Sequence, residues 1–460
     1  MLAPSARYSN FSLGLQHLLS ALWHLFSPDY LAILIKQRAV MSNTDLTNIK
    51  RDPYAVLRIR DFRYFISARV FGAMAIKMQG VIVGWQIYSL TKDPLALGMI
   101  GLAEAIPAIG VALYAGYLAD KINRKHIVIA VYSMLALCTT GLLILSAGII
   151  EIPLPFMVRA MYVMIFLTGL ARGFLAPSLF GLLSQCVPPE LYPNSSAWNT
   201  SLNQISVVIG AAAGGLIFAA AGFSITYGIN ILLLVAALLM IVCISPKAKP
   251  VLVEGHALFD NLVSGLRFVF RHQILLSVLS LDLFAVLFGG AVALLPIFAA
   301  DILNAGPQGL GLLRAAPSAG AFIMAVVLIY KPPLHNTGKK LLWCVAGFGV
   351  CMIFFALSRN FYLSLLLLML SGMFDNVSVV IRSIIMQTFT PPEMKGRVSS
   401  VNSMFIGSSN EIGAFESGVS AKFFGTIPSV VIGGGITLAV VAIATLKAPL
   451  LRVMNLERKV

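Results

Sequence analysis

The chain has 460 residues, of which 58% are hydrophobic and 11% charged, with a formal net charge of +15 and a mean hydropathy of +0.89. Soluble domains carry roughly 25% charged residues, so this much apolar sequence requires a bilayer as solvent. The positive charge does not indicate nucleic acid, because Lys and Arg are confined to short connections between apolar runs, as cytoplasmic loops require.

Residues 1–40 differ from the rest of the chain. They fall short of a full apolar span and lack a small-residue cleavage site, and Met41 opens a polar run, Ser42-Asn43-Thr44-Asp45. The expectation is a natural start at Met41, with a surface amphipathic helix as the rival and a cleaved signal peptide as the third reading.

Twelve apolar runs come after this segment, at 62–89, 95–118, 126–149, 157–183, 195–220, 224–244, 273–300, 308–330, 341–358, 361–387, 399–424 and 428–448. Each suits a membrane span, so the expected fold is an all-α integral membrane protein. The gap at 245–272 divides them six and six. Its second half places Phe259, Leu262, Leu266 and Phe270 at helical spacing and predicts an interfacial linker helix. The expected organisation is an N-terminal extension and tail (1–55), a six-helix bundle (56–244), the linker (245–272), a second bundle (273–450) and a tail (451–460).

Basic residues set the orientation. One side carries Arg58, Arg60, Arg63, Lys121, Arg124, Lys125, the linker cations, Lys339, Lys340, Lys395, Arg397 and the tail. The other offers little beyond Lys92 and Arg359. Both termini are therefore expected in the cytoplasm.

A repeat runs through the spans at an offset of 203. Pro188-Pro189-Glu190-Leu191 matches Pro391-Pro392-Glu393-Met394, and Ser196, Asn199, Gly210 and Gly215 match Ser399, Asn402, Gly413 and Gly418. Gly169 matches Gly372 on the preceding span. A second echo sets Pro94-x-x-Leu97-Gly98 against Pro307-x-x-Leu310-Gly311. These pairings predict two parallel repeats of six helices.

Between spans 2 and 3 lies Gly116-Tyr117-Leu118-Ala119-Asp120-Lys121-Ile122-Asn123-Arg124-Lys125. Together with the repeat, it resembles the signature loop of the major facilitator superfamily, over roughly residues 55–450. Lys121 stands for an arginine and Asn123 for a glycine; Asn tolerates a left-handed backbone, so the turn is expected to survive. Gly210-Ala211-Ala212-Ala213-Gly214-Gly215 is similar to the span 5 motif of proton antiporters without its proline. Its other reading is close helix packing through Gly210, Gly214 and Gly215. Asp61-Phe62-Arg63-Tyr64-Phe65, Gly84-Trp85-Gln86-Ile87-Tyr88 and Glu104-Ala105-Ile106-Pro107 resemble the enterobactin-exporter-like branch, which includes macrolide and other drug exporters. Ile165 occupies the place of that branch's usual span 4 arginine, and Arg172 follows Gly169 by three residues instead.

Six charges lie near predicted span centres: Lys77, Glu104, Arg172, Asp282, Asp375 and Glu411. An ion at this depth costs at least about 2.5–3.5 kcal/mol and marks function or pairing. The resemblance implies that spans 1, 4, 7 and 10 line a cavity, and Lys77, Arg172, Asp282 and Asp375 lie on those spans. Lys77 and Arg172, with Trp85, Phe284 and Phe374, are substrate-cavity candidates. A carboxylate balanced between desolvation and a nearby cation can exchange protons, so Asp282, Asp375, Glu104 and Glu411 are proton-coupling candidates. The other reading is that some of these ions pair within one half and hold helices together. The resemblance also implies that Asp120 and Arg124 latch the halves, in a gate motif with Gly116 and Lys125. Glu190 and Glu393, at equivalent places in two loops of the same side, are candidate partners for its basic residues, and the other reading of Lys121 and Lys125 is as topology determinants.

None of the six histidines lies deep in a span, so carboxylates are expected to handle protons. The five cysteines form no Cys-x-x-Cys, and no metal site, nucleotide-binding loop or catalytic constellation occurs. The expected activity is secondary active export of an amphipathic small molecule, siderophore-like or drug-like, by proton antiport with alternating access. The protein is expected to be no enzyme, to be monomeric, to bind no nucleic acid and to need no cofactor beyond a proton gradient. The rivals are a proton-coupled importer, a lysolipid flippase and a non-transporting sensor.

Overall fold

In the computed structural model, residues 54–148, 152–246, 258–330, 333, 336–391, 394–447, 449–452 and 454 are described. The extension, part of the linker, Glu393 and the end of the tail lie outside them. The described chain is helical, and its long helices follow the predicted runs. They are α1 (Arg60–Thr91), α2 (Pro94–Lys121), α3 (Arg124–Ser146) and α4 (Leu154–Cys186). A single helical element, Tyr192–Val242, comes next. At 1.5 Å per residue its 51 residues would extend about 76 Å, more than twice the hydrocarbon thickness of about 30 Å. Gly222, at φ 74° and ψ −176°, breaks it into α5 (192–221) and α6 (223–242). Only glycine enters that backbone region without strain, so the reversal between the two spans is fixed by one residue.

The second half contains α7 (Gln273–Ile302), α8 (Gly306–Tyr330), α9 (Thr337–Leu357), α10 (Phe361–Phe389), α11 (Lys395–Phe424) and α12 (Thr426–Lys447). Span 7 is not one regular helix. Its α-helical part ends at Gly289, and tight and wide turns carry the chain from Val292 to Ile302. Length and composition alone mark ten helices among the described residues as membrane spans. The shortfall from twelve has two causes. α5 and α6 count as one. α11 carries polar residues along its length, from Ser399 and Asn402 through Ser408, Ser409, Asn410 and Glu411 to Glu416 and Ser417, so it is not apolar enough to qualify.

The packing repeats as the sequence does. α2 packs on α11, and α5 packs on α8. These are the two seams that join the halves, and the repeat-related glycines sit in them. A Cβ on Gly98 would stand 2.9 Å from the Cα of Gly418, and one on Gly215 would stand 2.6 Å from the Cα of Gly311. Within each half, Gly169 packs on the backbone of Glu104 as Gly372 packs on that of Pro317, and Gly210 meets Met74 as Gly413 meets Leu287. Small residues at such crossings let backbones approach closely.

Two ends of the bundle can be distinguished. The odd end holds the α1–α2, α3–α4 and α7–α8 connections, and the even end holds the α2–α3, α4–α5 and α10–α11 connections. At the odd end, Tyr88 of α1 donates a hydrogen bond to Asp301 of α7, and Lys422 of α11 pairs with Asp93 at 2.9 Å. An apolar cluster that includes Tyr88, Leu97, Leu294, Leu295, Phe298, Leu310 and Ala421 closes this end across both halves. At the even end, the linker helix Leu258–Arg271 packs on α11, where Arg397 donates to the Ser264 hydroxyl at 3.1 Å.

Candidate functional site

The mid-span charges fall into two groups. The first lies between the halves. Arg172 of α4 forms an ion pair with Glu104 of α2 and reaches Glu411 of α11 at 4.0 Å. The side chains are 31%, 21% and 28% exposed, so the triad borders open space at the centre of the bundle. Lys77 of α1 is also exposed, although its helical neighbours Ala75 and Met78 are fully buried. Its charged neighbours are Glu104, Arg172, Arg314 and Glu411. Five charges from α1, α2, α4, α8 and α11 therefore share one region.

A cavity of about 230 Å³ lies against this group, lined by Glu104, Ala108, Gly169, Arg172, Gly407 and Glu411. That is slightly below the range of roughly 300–1,000 Å³ common for small-molecule pockets. A second cavity of about 340 Å³ opens between α10 and α11 toward the even end, with Arg382, Gln387, Thr390, Ser399 and Asn402 in its wall. Gly169 is required beside the triad, since a Cβ there would come within 2.6 Å of the Glu104 carbonyl oxygen.

The second group is internal to the C-terminal half. Asp282 of α7 pairs with Arg382 of α10, and both are buried. Asp375 shares a narrow space with Asp282, Phe348, Phe374 and Ser378. Phe374 packs on Gly347 of α9, where an added Cβ would lie 3.0 Å from its ring. Phe284 stacks near Phe288 at 6.4 Å, and Trp85 packs near Phe218 at the same separation. The structure thus brings together Lys77, Glu104, Arg172 and Glu411, and places Asp282, Asp375 and Phe374 apart from them.

Arg314 is the member of the central group that the sequence pattern did not single out. It lies on the odd-end side of α8, but its guanidinium crosses to α1. A Cβ on Gly80 would meet it at 3.2 Å, and one on Gly84 at 3.0 Å. Two glycines one turn apart, facing a long cation on another span, were the signal available in the sequence.

The α2–α3 connection is built differently from the sequence expectation. Asn123 has φ −59°, so it does not adopt the left-handed backbone. It caps α3 instead, its Oδ1 accepting from the Lys125 N–H at 3.0 Å. Arg124 donates to the Gly181 carbonyl of α4 at 3.2 Å. Lys125 donates to the Val242 and Ile244 carbonyls at 2.9 and 2.5 Å, satisfying the C-terminal end of α6. These bonds lie within the N-terminal half. Gly116 and Asp120 lie in the last turns of α2, and Glu190 is exposed in the turn after α4. Glu393 lies outside the described residues. Of the packing motif, Gly210 and Gly214 face α1 at Met74 and Met78, whereas Gly215 faces α8 across the seam.

Comparison with known proteins agrees with this architecture. The transmembrane secretion effector family matches residues 51–459. The enterobactin exporter EntS of Shigella flexneri is 25% identical over 350 residues, covering 74% of this chain and 80% of the relative. EntS of Escherichia coli O1:K1 is 24% identical over 353 residues, with the same coverage. Among solved structures, the inward-open xylose transporter XylE from E. coli superposes with a TM-score of 0.64 at 11% identity, covering 86% of this chain and 96% of that one. A POT family transporter bound to 5-aminolevulinic acid reaches 0.68 at 10% identity, covering 85% and 96%.

Proposed function

Because the chain belongs to the transmembrane secretion effectors of the major facilitator superfamily, we propose that it exports an amphipathic small molecule in exchange for protons. It is a multi-pass membrane transporter and not an enzyme. The observation that carries the proposal is the Glu104–Arg172–Glu411 triad, in which one cation on α4 joins an acid of its own half to an acid of the other. Protonating Glu411 weakens the link between the halves and ionising it restores the link, while the charge state of Glu104, which competes for the same guanidinium, sets how strongly Arg172 is held in its own half. Proton occupancy is thereby coupled to the relative position of the halves, which is what alternating access needs.

The basic residues of the even end support a cytoplasmic placement of that end and of both termini. The odd end is then outward, and the closure there by Tyr88–Asp301, Asp93–Lys422 and the apolar cluster corresponds to an inward-facing state. Substrate would enter the central cavity from the cytoplasm, and the odd end would part to release it. Glu104 and Glu411 are the first candidates for the proton carriers because they straddle the seam; Asp375 and Asp282 follow. The curated relatives are named as enterobactin exporters, which supports a siderophore-like cargo in a bacterial inner membrane. No cofactor is needed beyond the proton gradient, and one chain holds the whole site, consistent with a monomer.

The test is transport in inside-out vesicles. A substrate found by comparing a deletion strain with its parent should accumulate when the lumen is acidified, and a protonophore should abolish accumulation. Glu104→Gln and Glu411→Gln should remove the response to the gradient. Gradient-driven accumulation at the parental level in both variants would overturn the assignment of the carriers, and insensitivity to the protonophore would overturn antiport.

A further inference from the structure

The bonded partners within the central group are unevenly shared. Arg172 takes both acids, Glu104 directly and Glu411 at 4.0 Å. Lys77 and Arg314 are left with no side-chain hydrogen bond or ion pair to any described residue, and Arg314 Nε is buried without an acceptor. With three cations against two acids, the group carries a formal charge of +1. An unpaired cation at membrane depth is costly, and two of them on different halves share one region. The path of Arg314 is also kept clear: any side chain at Gly80 or Gly84 would crowd its guanidinium.

We propose that Lys77 and Arg314 form an anion subsite that takes the acidic group of an amphipathic substrate. Lys77 supplies a compact ammonium on an exposed side chain beside the Glu104–Arg172–Glu411 triad, and Arg314 supplies a planar fork suited to two oxygens of a carboxylate. A bound anion would pair both cations and bring the group close to neutrality. The two cations lie on α1 and α8, so the anion would bridge the halves as the Glu104–Arg172–Glu411 triad does. A neutral or cationic amphipath leaves Lys77 and Arg314 unpaired and is disfavoured. This subsite rests on reading the central cavity as the transport site.

The test uses the full chain in nanodiscs of zwitterionic lipid, with calorimetric binding of three matched probes: 2-naphthoate, neutral 2-naphthamide and cationic 2-naphthylmethylammonium. Naphthoate should bind at least about tenfold more tightly than the amide, as charge-assisted bonds require, and the ammonium should bind weakest. Lys77→Gln and Arg314→Gln should each cut the preference severalfold, and Arg314→Lys should keep part of it. Thermal unfolding of each variant checks that it is folded. Equal affinity for naphthoate and amide overturns the proposal, as do tightest binding of the ammonium, no binding of any probe, or a preference that survives Arg314→Gln with Lys77→Gln. Anion preference without gradient-driven transport would retain the subsite and remove only the transport reading.

Discussion

Gly98 of α2 and Gly418 of α11 meet backbone to backbone across the seam between the halves; a Cβ on Gly98 would lie 2.9 Å from the Gly418 Cα. No flexible side chain can yield at this contact, because the Phe415 carbonyl oxygen, also backbone, would lie 3.0 Å from the same Cβ. Gly98→Val should therefore force the odd end apart, at a cost of about 1–3 kcal/mol to the closed form, as overpacking does. Spin labels placed on the odd ends of α1 and α7 should report a longer mean distance in the variant. An unchanged distance distribution would show that the seam absorbs the side chain.

The triad predicts a non-additive pattern. Glu104→Gln leaves Arg172 with Glu411 alone, and Arg172→Gln removes the cation that both acids share. The Arg172 variant should be the less stable of the two. Combining Glu104→Gln with Arg172→Gln should recover part of the loss, a coupling of about 0.5–3 kcal/mol for residues in one network. Thermal unfolding of the four proteins in detergent measures it. Strictly additive losses would mean that the pair is not an energetic unit.

The repeat and the central charges were legible in the sequence for different reasons. Gly98, Gly215, Gly311 and Gly418 stood out because close backbone approach allows few alternatives to glycine, so the spacing survived in both halves. Lys77, Glu104, Arg172 and Glu411 stood out because ions at mid-span are rare. Which of the charges meet was not legible, since helix rotation and tilt decide it. The register that pairs Gly169 with Gly372 also pairs Arg172 with Asp375, so equivalent places carry opposite charges. Arg172 faces the seam with its acids, whereas Asp375 lies beside Asp282 and Phe374 within one half. Arg314 was passed over because its Cα is away from the span centre, and its length carries the charge to α1. At Asn123 the glycine-like reading failed because a side-chain cap was available to the backbone of α3.

Asp282 and Arg382 give a prediction about stability. Both are buried, at 8% and 3% exposure, and they pair between α7 and α10. Arg382→Leu leaves a buried carboxylate without its cation and should cost about 3–5 kcal/mol; adding Asp282→Leu should return much of that loss, because an apolar pair often replaces a buried ion pair at little cost. Unfolding in detergent, compared across the two single variants and the double variant, checks it. A double variant no more stable than Arg382→Leu would show that the pair contributes beyond mutual neutralisation.

The contact between Tyr88 and Asp301 predicts how the closed end is held. Tyr88 donates to a carboxylate on the opposite half, and Lys92 Nζ lies 5.0 Å from the centre of the same ring. A hydrogen bond to a charged acceptor contributes about 1.5–3 kcal/mol, and each 1.4 kcal/mol is about a tenfold change in an equilibrium. Tyr88→Phe keeps the ring and its packing but removes the donor, so the odd-closed population should fall by at least about tenfold relative to the open one. The readout is a cysteine at Leu97, which is 2% exposed in the closed cluster, in a background lacking the five native cysteines. Its labelling by an impermeant maleimide from the odd side should quicken by a similar factor in Tyr88→Phe. Asp301→Asn retains an acceptor and should have a smaller effect than Asp301→Ala. Equal labelling rates in the parent and in Tyr88→Phe would mean that the apolar cluster and Asp93–Lys422 hold the end closed without this bond.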